Sequence, residues 1–246
     1  FFCSKIKAIN SGKNYIDDID DKILKKAVFE NKLRATNDFN EVKQMDSISI
    51  CVPTPLNKQK DPDISYIVSV MDKLKNHLHE GMAIVLESTT YPGSTKELIL
   101  PYIDKAGFDV GKNFFLCFSP ERIDPGNKVY NTSNTPKVIG GITQECTKMG
   151  VSLYQGIVDQ VVEVSSTETA EMVKLLENTF RAVIESGVKN GEFRKDLDSR
   201  VTCLGIIGMC AWMYQWFSHD GRLSASDVAE TFSSILIEGL GAVEET

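Results

Sequence analysis

The run MVKLLENTF, residues 172–180, sets Lys174 and Asn178 four positions apart. On a helix that spacing puts an ammonium and a carboxamide on one face. Two such donors can stabilise negative charge developing on an oxygen. Either also sits comfortably on a solvated helix face, and spacing alone does not choose between the two. A carboxylate able to take or deliver a proton stands at Glu121 in FSPERIDPGN, where Arg122 beside it offers a plain local ion pair instead. Ser88 and Thr89 supply hydroxyls in LESTTYPGS, and Val52, Pro53, Thr54 and Pro55 form a proline-stiffened turn. His77 and His79 flank Leu78 with no further ligands gathered about them, so no metal site is expected.

These groups need elements to carry them. Up to about residue 181, short apolar runs alternate with helical periodicity. Strands are predicted at 47–52, 82–88, 114–119, 136–141 and 160–166. Helices are predicted at 64–78, at 95–107 with an internal proline, at 143–157, and from a cap at Ser166 or Thr167 with Glu168 close behind. Buried strands between helices predict βαβ units and a parallel sheet. In such sheets ligands bind beyond the carboxyl ends of the strands. The segments PTP, STTYPGS and SPERIDPGN each follow a predicted strand. One proline-rich loop alone reads as a turn; three on successive strands read as a site.

Beyond residue 182 no strand pattern appears. Helices are predicted near 198–217, capped by Asp198, and near 225–240, capped by Ser224 or Ser226. The last places Val228, Phe232, Ile235, Leu236 and Leu240 on one face. The charge-free run at 201–218 holds Thr202, Gln215, Ser218 and two glycines, which fits a buried helix better than a membrane span. The net charge of −7 argues against nucleic acid as a partner. Residues 182–246 carry 5 basic and 10 acidic groups of the chain's 27 and 34, so the charge shifts where the pattern does. Cys3, Cys51, Cys117, Cys146, Cys203 and Cys210 form no C-x-x-C pair and read as small core residues of a cytoplasmic, reducing compartment.

The ordered set CVPTPL, LESTTYPGSTKE, FSPERIDPGN, NTPKVIGG and SSTETAEMVKLLENTFR resembles the UDP-glucose/GDP-mannose dehydrogenase family over residues 5–183. It looks most like the branch oxidising C6 of UDP-N-acetylglucosamine or UDP-N-acetylmannosamine. The resemblance implies an α/β fold: an incomplete Rossmann-like parallel sheet with flanking helices, followed by an all-α segment. It implies NAD as cofactor and a UDP-sugar as partner. Val52, Pro53, Thr54 and Pro55 would line the NAD site, with Ser88 and Thr89 near the nicotinamide ribose. Thr89 would help hold a water, Glu121 would act as acid/base with Arg122 beside the substrate, and Lys174 and Asn178 would face the reacting carbon.

The chain departs from that family in three respects. No G-x-G-x-x-G spacing occurs in residues 1–60, no acidic residue for the ribose appears in FFCSKIKAIN, and no GGxC segment supplies the thiolate of the second oxidation. The opening without methionine reads as a chain cut into from the left, and little turnover is expected. Residues 182–246 resemble instead the end of the ligand-binding and dimerisation domain of tetracycline-repressor-type regulators, through VIESGVKNGEFRKDLD and the closing LIEGL. That resemblance implies a homodimer, with an apolar effector between helices around Trp212 and Trp216; from the composition of 201–218 no membrane partner is expected. The expected domains are 1–166, a connecting helix at 167–183, and 184–246.

Overall fold

The computed structural model describes residues 2–15, 19–55, 62–121, 134–218 and 221–241, without the side chains of residues 2, 3 and 211–215. The chain forms two compact units, Phe1–Met172 and Val173–Thr246.

The first unit opens with two short helices, α1 (Phe2–Asn10) and α2 (Asp21–Phe29), so residues 2–10 of FFCSKIKAIN are helical and not a strand end. A 3-10 turn at Phe39–Gln44 leads into β1 (Ser47–Ile50), α3 (Ser65–Leu74) and β2 (Ala83–Leu86). Then follow α4 (Ser94–Leu98), α5 (Leu100–Lys105), β3 (Phe115–Phe118), β4 (Lys137–Gly141), α6 (Gln144–Tyr154), β5 (Val161–Glu163) and the start of α7 (Thr167–Asn190). The predicted helix at 95–107 is two helices. Pro101 lies in the first turn of the second, where its missing N–H costs nothing; continuing the first helix through it would have lost a hydrogen bond.

The strands lie in the order β1-β2-β3-β4-β5. β1, β2 and β3 are parallel, with Ile48 opposite Ile84 and Ile84 opposite Leu116. β4 departs from the all-parallel expectation: it runs antiparallel to β3, with Cys117 opposite Gly141, and β5 is parallel to β4. An antiparallel neighbour needs no helical crossover.

All four residues of β2 are buried, as a strand covered on both faces requires. Ile67, Met71 and Leu74 of α3 recur at helical spacing and are fully buried. A second cluster joins Val85, Cys117 and Ile139 to Cys146, Tyr154 and Val158. Gly150 lets α6 approach closely, since a Cβ there would stand 2.7 Å from Ile139 Cγ2. The Cys117 Sγ–H donates to the Cys146 carbonyl at 2.9 Å, and burial pushes this thiol up to about 12. Cys117, Cys146 and Cys203 are the core residues expected; Cys51 and Cys210 are exposed, a departure from that expectation, and the side chain of Cys3 lies outside the described residues.

The second unit comprises most of α7, α8 (Ser199–Trp216) and α9 (Ala225–Leu240). Asp198 accepts the Val201 N–H at 2.8 Å, and Ser224 and Asp227 form a reciprocal capping box. Ile184, Cys203 and Ile206 make a small core against which Phe180, Val188, Leu236 and Leu240 pack. The apolar face predicted for α9 is therefore divided. Val228 is buried and Leu236 packs inward, whereas Ile235 stays 54% exposed. The G-x-x-x-G-x-F spacing has a physical reason. Gly187 lies against the Phe193 ring, Gly191 turns the chain at φ +78°, and the Arg194 N–H then donates to the Leu240 carbonyl at 3.0 Å. Among the described residues no helix is long and apolar enough to cross a membrane.

Candidate cofactor-binding site

The carboxyl ends of β1 and β2 lie side by side, and the polypeptide leaving them is tied by consecutive residues. Ser88 is buried, and its hydroxyl both accepts the Val52 N–H and donates to the Val52 carbonyl, each at 2.9 Å. The backbone of Val52 is thus consumed, and the turn after β1 is fixed against the end of β2. Pro53 and Pro55 are exposed, and Val52 and Thr54 are half-buried, so these four residues form a ledge at the strand ends. Thr89 is exposed on the same edge. The structure therefore brings together Val52, Pro53, Thr54, Pro55, Ser88 and Thr89.

Glu87, one residue before Ser88, was not singled out by sequence. Its carboxylate accepts from Ser49 Oγ at 2.5 Å and from the Tyr154 hydroxyl, and it pairs with Lys137 Nζ at 2.5 Å. The two charged side chains are only 11% and 14% exposed. Burial raises the affinity of this carboxyl for its proton, but the bonds from Lys137, Ser49 and Tyr154 outweigh it and hold the group below the usual range. Burial and the same carboxylate push the Tyr154 phenol well above its ordinary value, so Tyr154 is no general base although Lys137 stands 5.1 Å from its ring centre. Burial also raises the Cys51 thiol, which argues against a reactive thiolate there.

Glu121 follows β3 and is exposed. Arg122 lies outside the described residues. Ser119, at the end of β3, and Thr135, before β4, are buried, and among the described residues their hydroxyls find no hydrogen-bond partner. Such atoms are uncommon in a finished interior and suit an edge that receives a polar molecule. Lys174 and Asn178 occupy successive turns of α7 in the second unit, Lys174 half-buried and Asn178 exposed. The Trp212 side chain is outside the described residues; Trp216 is 47% exposed and meets the Phe232 ring edge-on at 6.3 Å. No group of three or more possible metal ligands occurs among the described residues.

The loop after Thr89 has its own anchor. The Glu171 carboxylate, 1% exposed, accepts the Gly93 N–H at 2.5 Å, Ser94 Oγ at 2.8 Å, the Thr95 N–H at 2.9 Å and Thr95 Oγ1 at 2.6 Å. Beside it, Lys96 pairs with Glu168 at 2.7 Å. Ser166 caps α7 through the Thr169 N–H, leaving Glu168 and Glu171 free to hold α4.

The model for the NAD-binding domain of the UDP-glucose/GDP-mannose dehydrogenase family matches residues 3–158. The chain belongs to this family. Its relatives include the UDP-N-acetyl-D-mannosamine dehydrogenase of Pyrococcus horikoshii, 33% identical over 72% of this chain and 43% of that protein. They also include the UDP-N-acetyl-D-glucosamine 6-dehydrogenase of Pseudomonas aeruginosa, 32% identical over 72% and 42%. The chain thus spans less than half the length of these relatives. The solved UDP-D-ManNAc dehydrogenase from Pyrococcus horikoshii superposes with a TM-score of 0.69 at 28% identity, over 89% of this chain and 50% of that one. A second match, to the tetracyclin repressor-like C-terminal domain, covers residues 149–240.

NAD is the cofactor of the matched domain. The residues present fit part of it. The Val52–Pro55 ledge and the orphaned Ser119 hydroxyl lie on the strand-end edge where such sheets take ligands. A glycine-rich turn for the pyrophosphate does not occur in the sequence.

Proposed function

We propose that this chain carries cofactor-binding machinery for the NAD-linked oxidation of C6 of a UDP-N-acetylhexosamine, of the glucosamine or mannosamine type. The observation that carries the reading is the Ser88–Val52 clasp, which presents residues 52–55 at the carboxyl ends of β1 and β2. Bound NAD supplies the hydride acceptor. Ser88 keeps the turn in place, and Thr89 presents a hydroxyl for the nicotinamide ribose and for a hydrolytic water. Glu121, exposed after β3, serves as acid/base, with Arg122 beside the substrate. Lys174 and Asn178, an ammonium and an amide one turn apart, stabilise the developing alkoxide.

Turnover by this chain alone should be slight. A second oxidation through a thiohemiacetal needs a reactive thiolate. The thiols of Cys51, Cys117 and Cys203 are raised by burial, the opposite of what a nucleophile requires. Mixing the chain with NAD and UDP-N-acetylglucosamine or UDP-N-acetylmannosamine, and following NADH absorbance, tests this. Slow or absent NADH formation with measurable NAD binding supports the reading; rapid formation of two NADH per sugar would contradict the limit on turnover.

A second reading concerns residues 184–246 and is favoured by the match of residues 149–240 to the regulator domain together with exposed aliphatics in the last two helices. Val201 is 67% exposed on α8, and Ile235 and Ile237 are 54% and 71% exposed on α9. We infer a helical ligand-binding and dimerisation module that pairs with a second copy across a twofold axis. Burial of about 800 Å² per subunit would make such a contact stable. Light scattering tests it: a mass near twice 27.3 kDa supports the homodimer, and a monomer throughout the micromolar range contradicts it.

A further inference from the structure

Glu87 draws three separate pieces of the fold to one carboxylate: Ser49 in β1, Lys137 at the start of β4 and Tyr154 at the end of α6. Its own N–H donates to the Ile50 carbonyl at 3.0 Å, so both backbone and side chain join β2 to β1. The next residue, Ser88, makes the clasp on Val52. Glu87 and Ser88 are consecutive residues just beyond β2; the first ties the strand ends together, and its neighbour fixes the outgoing turn.

The chemistry chosen for this tie is costly. A nearly buried ion pair forfeits much of its attraction in desolvation, and an apolar pair of the same volume is often as stable or more so. What the ionic arrangement adds over an apolar one is direction. Two carboxylate oxygens take three donors from three elements, which sets the lateral positions of the elements to within hydrogen-bond tolerance. The carboxylate cannot itself reach chemistry without giving up these partners, and the tyrosine it holds is no base.

We propose that Glu87, paired with Lys137, is a positioning residue of the dinucleotide site: it holds the carboxyl ends of β1 and β2 at the spacing that presents residues 52–55 to the cofactor. The inference rests on the NAD-binding reading above and goes beyond it by naming what aligns the ledge.

The test separates geometry from stability. NAD affinity is measured by calorimetry, and thermal midpoint serves as the folding control, for the unaltered chain, for the double variant Glu87→Met/Lys137→Met, and for Tyr154→Phe and Ser49→Ala. The double variant replaces the ion pair by apolar side chains of similar length and should keep its midpoint within a few degrees. Its affinity for NAD should nevertheless fall about 10-fold or more. Tyr154→Phe and Ser49→Ala each delete one hydroxyl and almost no packing, and each should weaken NAD about 2- to 3-fold. Should the double variant fail to fold, these two decide. Unchanged affinity in a folded double variant, or in both single variants, would overturn the proposal and leave the pair a structural one. An unaltered chain that is folded and binds no NAD would overturn the cofactor reading itself, a different outcome.

Discussion

Glu171 accepts the backbone N–H of Thr95 at 2.9 Å and its hydroxyl at 2.6 Å, across 76 residues of chain. The acid comes from α7 and the donors from the first turn of α4, whose free N–H groups would otherwise point at nothing. Two further donors, from Gly93 and Ser94, converge on the same carboxylate. This single side chain takes four donors from residues 93–95, where the loop after Thr89 enters α4.

Glu171→Ala should therefore be among the more destabilising changes in the first unit. It strands several buried donors, each worth about 1–3 kcal/mol when left unmade. A loss of about 3 kcal/mol is expected from denaturant titration. A loss below about 1 kcal/mol would mean that water replaces the carboxylate freely and that the anchor is unimportant.

Gly187→Ala reverses the usual rule for helices. Alanine in place of glycine normally gains up to about 1 kcal/mol of helix propensity. Here the added Cβ would lie 2.3 Å from Phe193 Cδ2, so the aromatic ring must move out of its place. Overpacking of this kind costs about 1–3 kcal/mol. The second unit's unfolding midpoint should fall, and Phe193→Ala made together with it should recover less than the ring's own packing. A rise in midpoint for Gly187→Ala alone would show that the ring is loosely held.

Acid should weaken the first unit through its low carboxyls. The hydrogen bond from Lys96 takes Glu168 from an ordinary 4.5 to about 2, and Glu87 is also held low. A carboxyl lowered by folding binds fewer protons folded than unfolded, so stability falls as pH falls. The contribution of Glu168 is whole above about pH 4.5 and is lost on the way down to about 2. Its exposure screens the effect, so the change is small. Glu168→Gln should flatten the fall in denaturation midpoint between pH 5 and pH 3; an unaltered slope would assign the acid sensitivity elsewhere.

On α9, adjacent residues should behave in opposite ways. Ile237 is 71% exposed, whereas Leu236 packs against the cluster of Ile184, Cys203 and Ile206. Ile237→Asp should leave circular dichroism unchanged and shift the scattering mass toward one chain. Leu236→Asp should unfold the second unit outright. Equal effects of both substitutions on folding would contradict the packing described.

Much of this was legible in the sequence because strand, turn and helix each leave a period or a breaker. AIVL reads as a strand buried on both faces, and PTP and TTYPG read as turns at strand ends. The antiparallel entry of β4 was not legible, since VIG looks the same in either direction and only the length and content of the connection decide. Ser88 stands out in the sequence as a hydroxyl for the nicotinamide ribose, whereas its clasp on the Val52 backbone, 36 residues away, leaves no local pattern. Its neighbour Glu87 was missed because a glutamate at a strand end ordinarily reads as a solvated residue. The signal was present only as a relation: Glu87 and Ser49 both near the ends of adjacent parallel strands, and Lys137 opening a strand otherwise apolar. Such partners are 38 and 50 residues apart, and no local pattern pairs them.

Hydrogen exchange of the folded chain with and without NAD tests the central claim most directly. The Thr54 amide of the ledge and the strand-end segment at 86–90 should be protected when NAD is added at millimolar concentration, with α8 and α9 unchanged. Exchange unaltered at residues 50–55 and 86–90, at NAD concentrations up to about 10 mM and in a sample shown to be folded, would contradict it.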